Sequence, residues 1–204
     1  MHAKVMVVDD ALAIISTGNY LKTNVLKERN YVIHDRDPQD ATDIGALFDA
    51  DFSGTEPSLD CTRIVVSPIN SRGRILDLIA SATTTLDIES MQFADTDVRN
   101  AVAARAKAGV KVRVLVADPT LIDTKVDTAK FLANAAIPVK WLASPTIHVK
   151  ALVVDGARAY AGSENLSYTS LSKNREVGVL FAQADAIATM NATFEKDWTA
   201  ATAF

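Results

Sequence analysis

The chain has 204 residues, 49% of them hydrophobic and 23% charged, with a formal net charge of −4 and a pI of about 5.4. That is enough apolar material for one large or two small cores, and the mildly acidic balance argues against a general nucleic-acid-coating surface while leaving room for a local basic cleft. Cys61 is the single cysteine, which excludes an intrachain disulfide; no apolar run approaches the ~18 residues that span a bilayer, and MHAKVMVVDD has too short an apolar stretch, ending in two acids, for a signal peptide.

Residues 3–8 and 11–17 are β-rich runs joined by Asp9-Asp10, a hairpin pattern, and Tyr31–His34 is a further short strand. Asp37 and Pro38 stand at N-cap and N1 of a helix whose apolar face reads Ile44, Leu47, Phe48 and Phe52, and Gly54 stops it. Ser53–Asp60 is a linker by composition, and Cys61 beside it reads as an incidental thiol. Beyond it the pattern alternates: strand Arg63–Ser67, helix Arg74–Ala82, strand Thr85–Glu89, helix Asp97–Ala108, strand Val110–Ala117, a helix at about 125–135 and strand Val139–Leu142. A hairpin Ile147–Tyr160, strand Glu176–Phe181 and a helix through Trp198 complete it. Strands interleaved with helices of this length predict an α/β fold, a mixed sheet with helices on both faces.

The hairpins are copies of each other. At an offset of 146 positions (2 to 148), residues 2–52 match identically at His2, Lys4, Val7, Val8, Asp9, Ala11, Ala13, Asn19, Thr23, Lys27, Arg29, Ala46, Phe48 and Asp51, without a gap. Chance would give roughly three. The chain is therefore two pseudo-symmetric units, residues 1–58 and 59–204, of which the first is the incomplete one. If the units were once equal, roughly 85 residues of the first are absent, and the first unit should be the less stable, inviting self-association.

In a strand, residues i and i+2 share a face, so His2 projects with Lys4 and His148 with Lys150. An imidazole beside an ammonium suits an anionic substrate: the ring attacks or moves a proton while the lysine neutralises oxygen charge. Asn19, Asn165, Thr17 and Ser163 add polar groups able to hydrogen-bond phosphate oxygens. Asp9 and Asp155 lie an odd number of residues from their histidines and read as supports for the hairpins. His34 reads as a half-exposed strand-end histidine, Trp141 and Trp198 as core, and the acids Asp35, Asp37 and Asp40–Asp51 as a solvated face rather than a metal cluster.

The pattern His-x-Lys-x4-Asp-x6-Gly-Ser-x-Asn resembles the signature of the phospholipase D superfamily. Residues 148–165 match at every defined position, and residues 2–19 match His, Lys, Asp and Asn, with Ser16 and Thr17 where Gly and Ser are usual. Asn174-Arg175-Glu176 is also similar, since the family places a carboxylate some 25–30 residues after the motif histidine to orient an imidazole. The resemblance implies metal-independent phosphodiester cleavage through a phosphohistidine, with no cofactor: His2 as nucleophile, His148 as acid, and Lys4, Lys150, Asn19 and Asn165 on the phosphoryl oxygens. One imidazole must be neutral while the other is protonated, so neighbours must separate them. Glu176 can do this, but its counterpart Asn30 cannot, and Asp35 is close enough in sequence to substitute.

What the resemblance implies for the substrate is a phospholipid diester, with a nuclease as the enzymatic rival and an inactive phosphodiester-binding fragment as the third reading. Peripheral membrane contact goes with the first. The compartment is open: cell envelope or secreted if a longer protein carries a signal, otherwise cytoplasmic. The expectation that the structure tests is that both hairpins pack with His2 and His148 facing one pocket.

Overall fold

The computed structural model describes residues 1–59, 62–121 and 125–204. Asp60 and Cys61, with the end of the linker, lie outside the described residues. The first unit contains strands β1 (Val5–Val8) and β2 (Leu12–Ser16), a short helix α1 (Lys22–Val25), strands β3 (Glu28–Arg29) and β4 (Val32–Asp35), and helix α2 (Pro38–Ser53). The second contains β5 (Ile64–Ser67), α3 (Ser71–Ala80), β6 (Thr85–Ser90), α4 (Thr96–Lys107), β7 (Lys111–Ala117), a 3-10 turn (Pro119–Leu121), α5 (Lys125–Asn134) and β8 (Val139–Leu142). Then follow β9 (Thr146–Ile147), β10 (Lys150–Val154), β11 (Arg158–Gly162), α6 (Tyr168–Ser172), β12 (Glu176–Phe181), α7 (Ala184–Ala200) and β13 (Thr202–Ala203). The short elements α1, β3, β9, α6 and β13 carry too few residues for a periodic signal.

The main sheet has eight strands in the order β13-β8-β7-β6-β10-β11-β12-β5. It is mixed: β6, β7 and β8 are parallel, whereas β10 to β12 and β5 run antiparallel to their neighbours. The period of two sorts its side chains cleanly. Leu86, Ile88, Val112, Val114, Leu152 and Val154 pack under α3 and α4. Ala151, Val153, Val177 and Val179 face the other way, toward Ile187, Met190 and Phe194 of α7. This second core also takes in Ala13 and Ile15 of β2 and Ile44 and Leu47 of α2, so it is shared between the units. Truncating Ile15, Leu86, Ile88 or Leu152, each at most 1% exposed, to alanine should cost about 2–5 kcal/mol in a denaturant titration.

The first unit's three-stranded sheet has the order β1-β2-β4. In its turn, Asp9 and Asp10 both have left-handed backbone (φ 51° and 52°), as do their counterparts Asp155 (φ 54°) and Gly156 (φ 62°). The repeat therefore preserves the turn geometry as well as the residues. Asp37 caps α2 by accepting from the Gln39 amide at 3.0 Å, and Gly54 (φ 71°) ends it.

Two expectations fail here. Phe48 and Phe52 are 65% and 87% exposed, because the inward stripe of α2 is Ala41, Ile44, Leu47 and Ala50; the two rings stack on each other outside it (centroids 6.3 Å apart). Nor do most acids of residues 35–51 form a solvated face, although Asp49 is exposed. Asp35, Asp37 and Asp40 surround Arg63, with Asp40 buried, and Asp51 pairs with Arg175 at 2.8 Å. Helical acids look solvent-facing in sequence because nothing local reveals an arginine arriving from another element. Trp198 packs against the second core, stacked on Phe194 (5.7 Å), and Trp141 against the first, while His34 is exposed on β4.

The units are joined by contacts that repeat at the 146-residue offset. His2 and Ala3 donate backbone N–H to Arg175 O (2.8 and 3.0 Å), and His148 donates to Arg29 O (3.1 Å). Arg29 is bidentate on the nearly fully buried Asp197 (2.5 and 2.8 Å), as Arg175 is held by Asp51. Each pair crosses from one unit to the other. With β1 at the edge of a three-stranded sheet and β7 inside the eight-stranded one, the amides of Val5–Val8 should exchange faster than those of Val112–Val116 in a verified monomer. Equal protection in hydrogen exchange would show that the small sheet opens only with the whole molecule.

Candidate active site

His2 and His148 lie just ahead of β1 and β10 rather than within the strands. What holds them is the partner unit's backbone carbonyl, at Arg175 and Arg29. Each lysine still turns back to its own histidine. Lys4 Nζ donates to His2 O (2.7 Å) and lies 3.1 Å from His2 Nε2; Lys150 Nζ donates to His148 O (2.7 Å) and lies 3.1 Å from His148 Nδ1. The half-sites interlock, because Lys150 Nζ also donates to Thr17 O at 3.0 Å.

The imidazoles are oriented across the unit boundary. His2 Nδ1 sits 2.8 and 2.9 Å from the two carboxylate oxygens of Glu176. Glu176 is fully buried and also accepts from Ser170 Oγ (2.6 Å) and Asn174 Nδ2 (3.2 Å). His148 Nδ1 sits 3.1 Å from Oδ1 of Asn30, the counterpart of Glu176. Asp35 does not substitute, since it is engaged with Arg63; the carboxylate nearest His148 is Glu28, 3.9 Å away. Asn30 and Glu28 came from the repeat and the fold respectively: the offset exposes Asn30, while only three-dimensional packing brings in Glu28.

The remaining sequence-predicted residues divide. The side-chain amides of Asn19 and Asn165 have no hydrogen-bond partner among the described residues, and Asn165 Oδ1 is buried. They are free for a ligand. Ser163 Oγ is buried and accepts from Val177 N at 3.0 Å; Thr17 Oγ1 accepts from Tyr31 N at 2.9 Å and donates to Asn30 Oδ1 at 3.1 Å. These hydroxyls staple each hairpin to the next strand. Asp155 accepts from Thr83 N and Oγ1, Thr84 N and Oγ1, and Thr85 N at 2.7–3.1 Å, and those donors hold its carboxyl well below the ordinary range. Asp9 is exposed with no such partners among the described residues. A cavity of about 620 Å³ lined by Arg63, Arg74, Arg158 and Phe181 lies at the other ends of β11 and β12, apart from these groups.

A family profile described as cardiolipin synthase, PLD-like domain, matches residues 75–198. The chain belongs to the phospholipase D superfamily. It is 32% identical over 126 residues to a probable cardiolipin synthase of Bacillus subtilis (59% of this chain, 25% of that protein). It is 29% identical over 143 residues to the 5'-3' exonuclease PLD3 of Bos taurus (60% of this chain, 29% of that protein). The crystal structure of phosphatidylserine synthase from Haemophilus influenzae superposes with a TM-score of 0.78 at 15% identity, covering 100% of this chain and 63% of that one. The chain thus spans about a quarter to a third of the length of these two sequence relatives.

Within this phospholipase D-type frame the two halves differ electrostatically. Burial lowers the His148 pKa to about 4, helped by the charges of Lys150, Lys4 and His2. Those last two belong to the other unit, so the four groups form one electrostatic cluster. Burial likewise lowers Lys150 to about 7, with Lys4 adding to the effect, and it lowers Lys4 against the pull of Glu176 and Glu164. His148 is therefore neutral at pH 7 in the free protein, with no carboxylate on its ring. Asn30→Asp keeps the 3.1 Å contact and supplies the missing charge, so the His148 midpoint should rise from about 4 by at least about 1 pH unit. Imidazole nitrogen shifts followed by NMR across pH 3–8 would measure this; an unmoved midpoint would show that Asn30 does not govern the ring.

Proposed function

We propose that this site is that of a phosphodiesterase working through a phosphohistidine, with a phospholipid as the diester it hydrolyses or whose phosphatidyl group it transfers. The observation that carries the reading is the pair of histidines in one cluster with unlike partners, Glu176 on His2 and Asn30 with Lys150 on His148. Glu176 accepting from Nδ1–H leaves the Nε2 lone pair of His2 for attack on phosphorus. In the free protein Lys4 Nζ lies 3.1 Å from that nitrogen, so the lone pair is released as the ammonium turns to the phosphoryl oxygens of a diester; the His2 side chain is 43% exposed.

In the first step the P–N bond forms as the P–O bond to the departing alcohol breaks, and His148 delivers a proton to that oxygen. In the second, water or an acceptor alcohol gives its proton to His148 while its oxygen displaces His2 from phosphorus. Lys4, Lys150, Asn19 and Asn165 would hold the non-bridging oxygens. His148 needs its proton only when the diester is present. An anionic phosphoryl group beside the ring supplies the charge that Asn30 does not, which ties protonation to substrate binding.

The lipid reading is supported by the cardiolipin synthase relative and by Tyr20, Leu21 and Leu26, which are 50%, 55% and 80% exposed. Tyr20 Oη donates to Lys4 O at 3.3 Å, which sets this apolar loop at the edge of the site. The similarity to an exonuclease keeps nucleic-acid diesters as the second reading. Headgroup release from phosphatidylcholine vesicles against nicking of plasmid DNA, both in EDTA, separates the two. Activity should persist in EDTA and fall by at least about 10³-fold in His2→Ala and in His148→Ala. Loss on chelation, restored by a single divalent ion, would refute the histidine-only mechanism.

A further inference from the structure

We infer that Glu164 is a positioning residue of this site: with Tyr160 it forms an uncharged acid–phenol floor behind Glu176, so that one negative charge, not two, bears on His2. The inference takes the His2–Glu176 pair of the proposed reaction as its starting point.

Glu164 is fully buried in the segment that follows β11. Tyr160 Oη donates to its Oε2 at 2.5 Å, and its Oε1 is buried with no partner. An ionised carboxylate with one orphan oxygen, out of water and next to a second carboxylate, is a costly arrangement; a protonated acid is the economical one. Burial pushes Glu164 up to about 8, with Glu176 adding to the effect, even though Tyr160 and the backbone amides of Glu164 and Ser163 oppose it.

The backbone is shaped for this pair. Gly162 and Gly178 face each other across β11 and β12. A Cβ on Gly162 would fall 2.6 Å from both Glu164 Oε2 and Tyr160 Oη, and one on Gly178 would fall 2.9 Å from each. Gly178 shares a face of β12 with Glu176 two residues earlier, which sets the Glu164 carboxyl one step along the strand from Glu176. The corresponding positions in the first unit are Ile14 for Tyr160, Ser16 for Gly162, Gly18 for Glu164 and Val32 for Gly178. The floor exists only on the His2 side.

The charged and titratable groups that reach Glu164 are Tyr160 from β11, Glu176 from β12 and Lys4 from the segment before β1. Below about pH 8 Glu164 is neutral. Above it, a second negative charge joins Glu176 behind the His2 ring, and an anionic diester is repelled. Glu164→Gln keeps an acceptor for Tyr160 Oη but cannot ionise.

The test is an NMR titration of the His2 ring nitrogens in the full chain between pH 5 and 10. The wild type should show an inflection near pH 8 that Glu164→Gln removes. Tyr160→Phe, which deletes the donor to the carboxylate, should move that inflection to higher pH, and it serves where Glu164→Gln fails to fold. Lys150 and Glu89 also titrate near 7, so the substitutions decide the assignment. No inflection between about pH 7 and 9.5, or one that survives Glu164→Gln and stays in place in Tyr160→Phe, would overturn the inference. If the inflection behaves as expected while no diester is cleaved, the catalytic reading fails and the role of Glu164 toward His2 stands.

Discussion

The exchange of residues 29 and 175 between the two units is the constraint on which the site depends. Each of these arginines gives its backbone carbonyl to the other unit's histidine segment and its guanidinium to the other unit's aspartate. One residue thus couples the placement of an imidazole to an ion pair that is largely out of water. Removing one partner of such a pair strands the other and costs about 3–5 kcal/mol, whereas a surface pair would cost far less. The geometry of the candidate site is consequently a property of the interface. Neither hairpin carries it alone, because the carbonyl and the orienting group for each ring come from about 120–175 residues away in the chain.

On this symmetric frame the chemistry is asymmetric. Substitution at two related positions, Asn30 for Glu176 and Gly18 for Glu164, puts both buried carboxyls behind His2 and none behind His148. A Cβ on Gly18 would run into the Asn30 side chain at 2.3 Å, so the two departures are linked by space as well as by charge. Identical imidazoles are thereby given unlike surroundings, which is what a reaction needing one nucleophile and one proton donor requires.

Much of this was legible from the sequence. Both hairpins, the helix at 38–53 with its Asp37 cap, and the strand–helix alternation after residue 63 followed from local rules, and the 146-residue offset identified the paired histidines and lysines before any geometry. Periodicity reports which face a residue occupies, not what lies opposite it. That is why Asp40 reads as solvated when it meets Arg63, and why Phe48 reads as buried beside Leu47 when its ring stacks on Phe52 outside the core. It is also why Asp35 reads as close enough to substitute for Asn30: nearness in sequence does not reveal a packing that brings Glu28 to His148 instead.

The same local sequence meets different surroundings in the two units, and this bears on how His2 is held. Asp155 has three threonines on its carboxylate, β10 has β6 along its outer edge, and the Phe194–Trp198 stack lies under Arg113 and Lys140. Their counterparts Asp9, β1 and Phe48–Phe52 face outward, as do Met6, Val8 and Val32 on the open face of the small sheet. A three-stranded sheet with one bare face has little stability of its own. Its order comes from Ala13, Ile15, Ile44 and Leu47 in the shared core and from the crossed contacts at Arg175 and Glu176. His2 is thus positioned chiefly by the second unit, so a perturbation of that unit's β12, even one remote from His148, reaches the ring of His2 first.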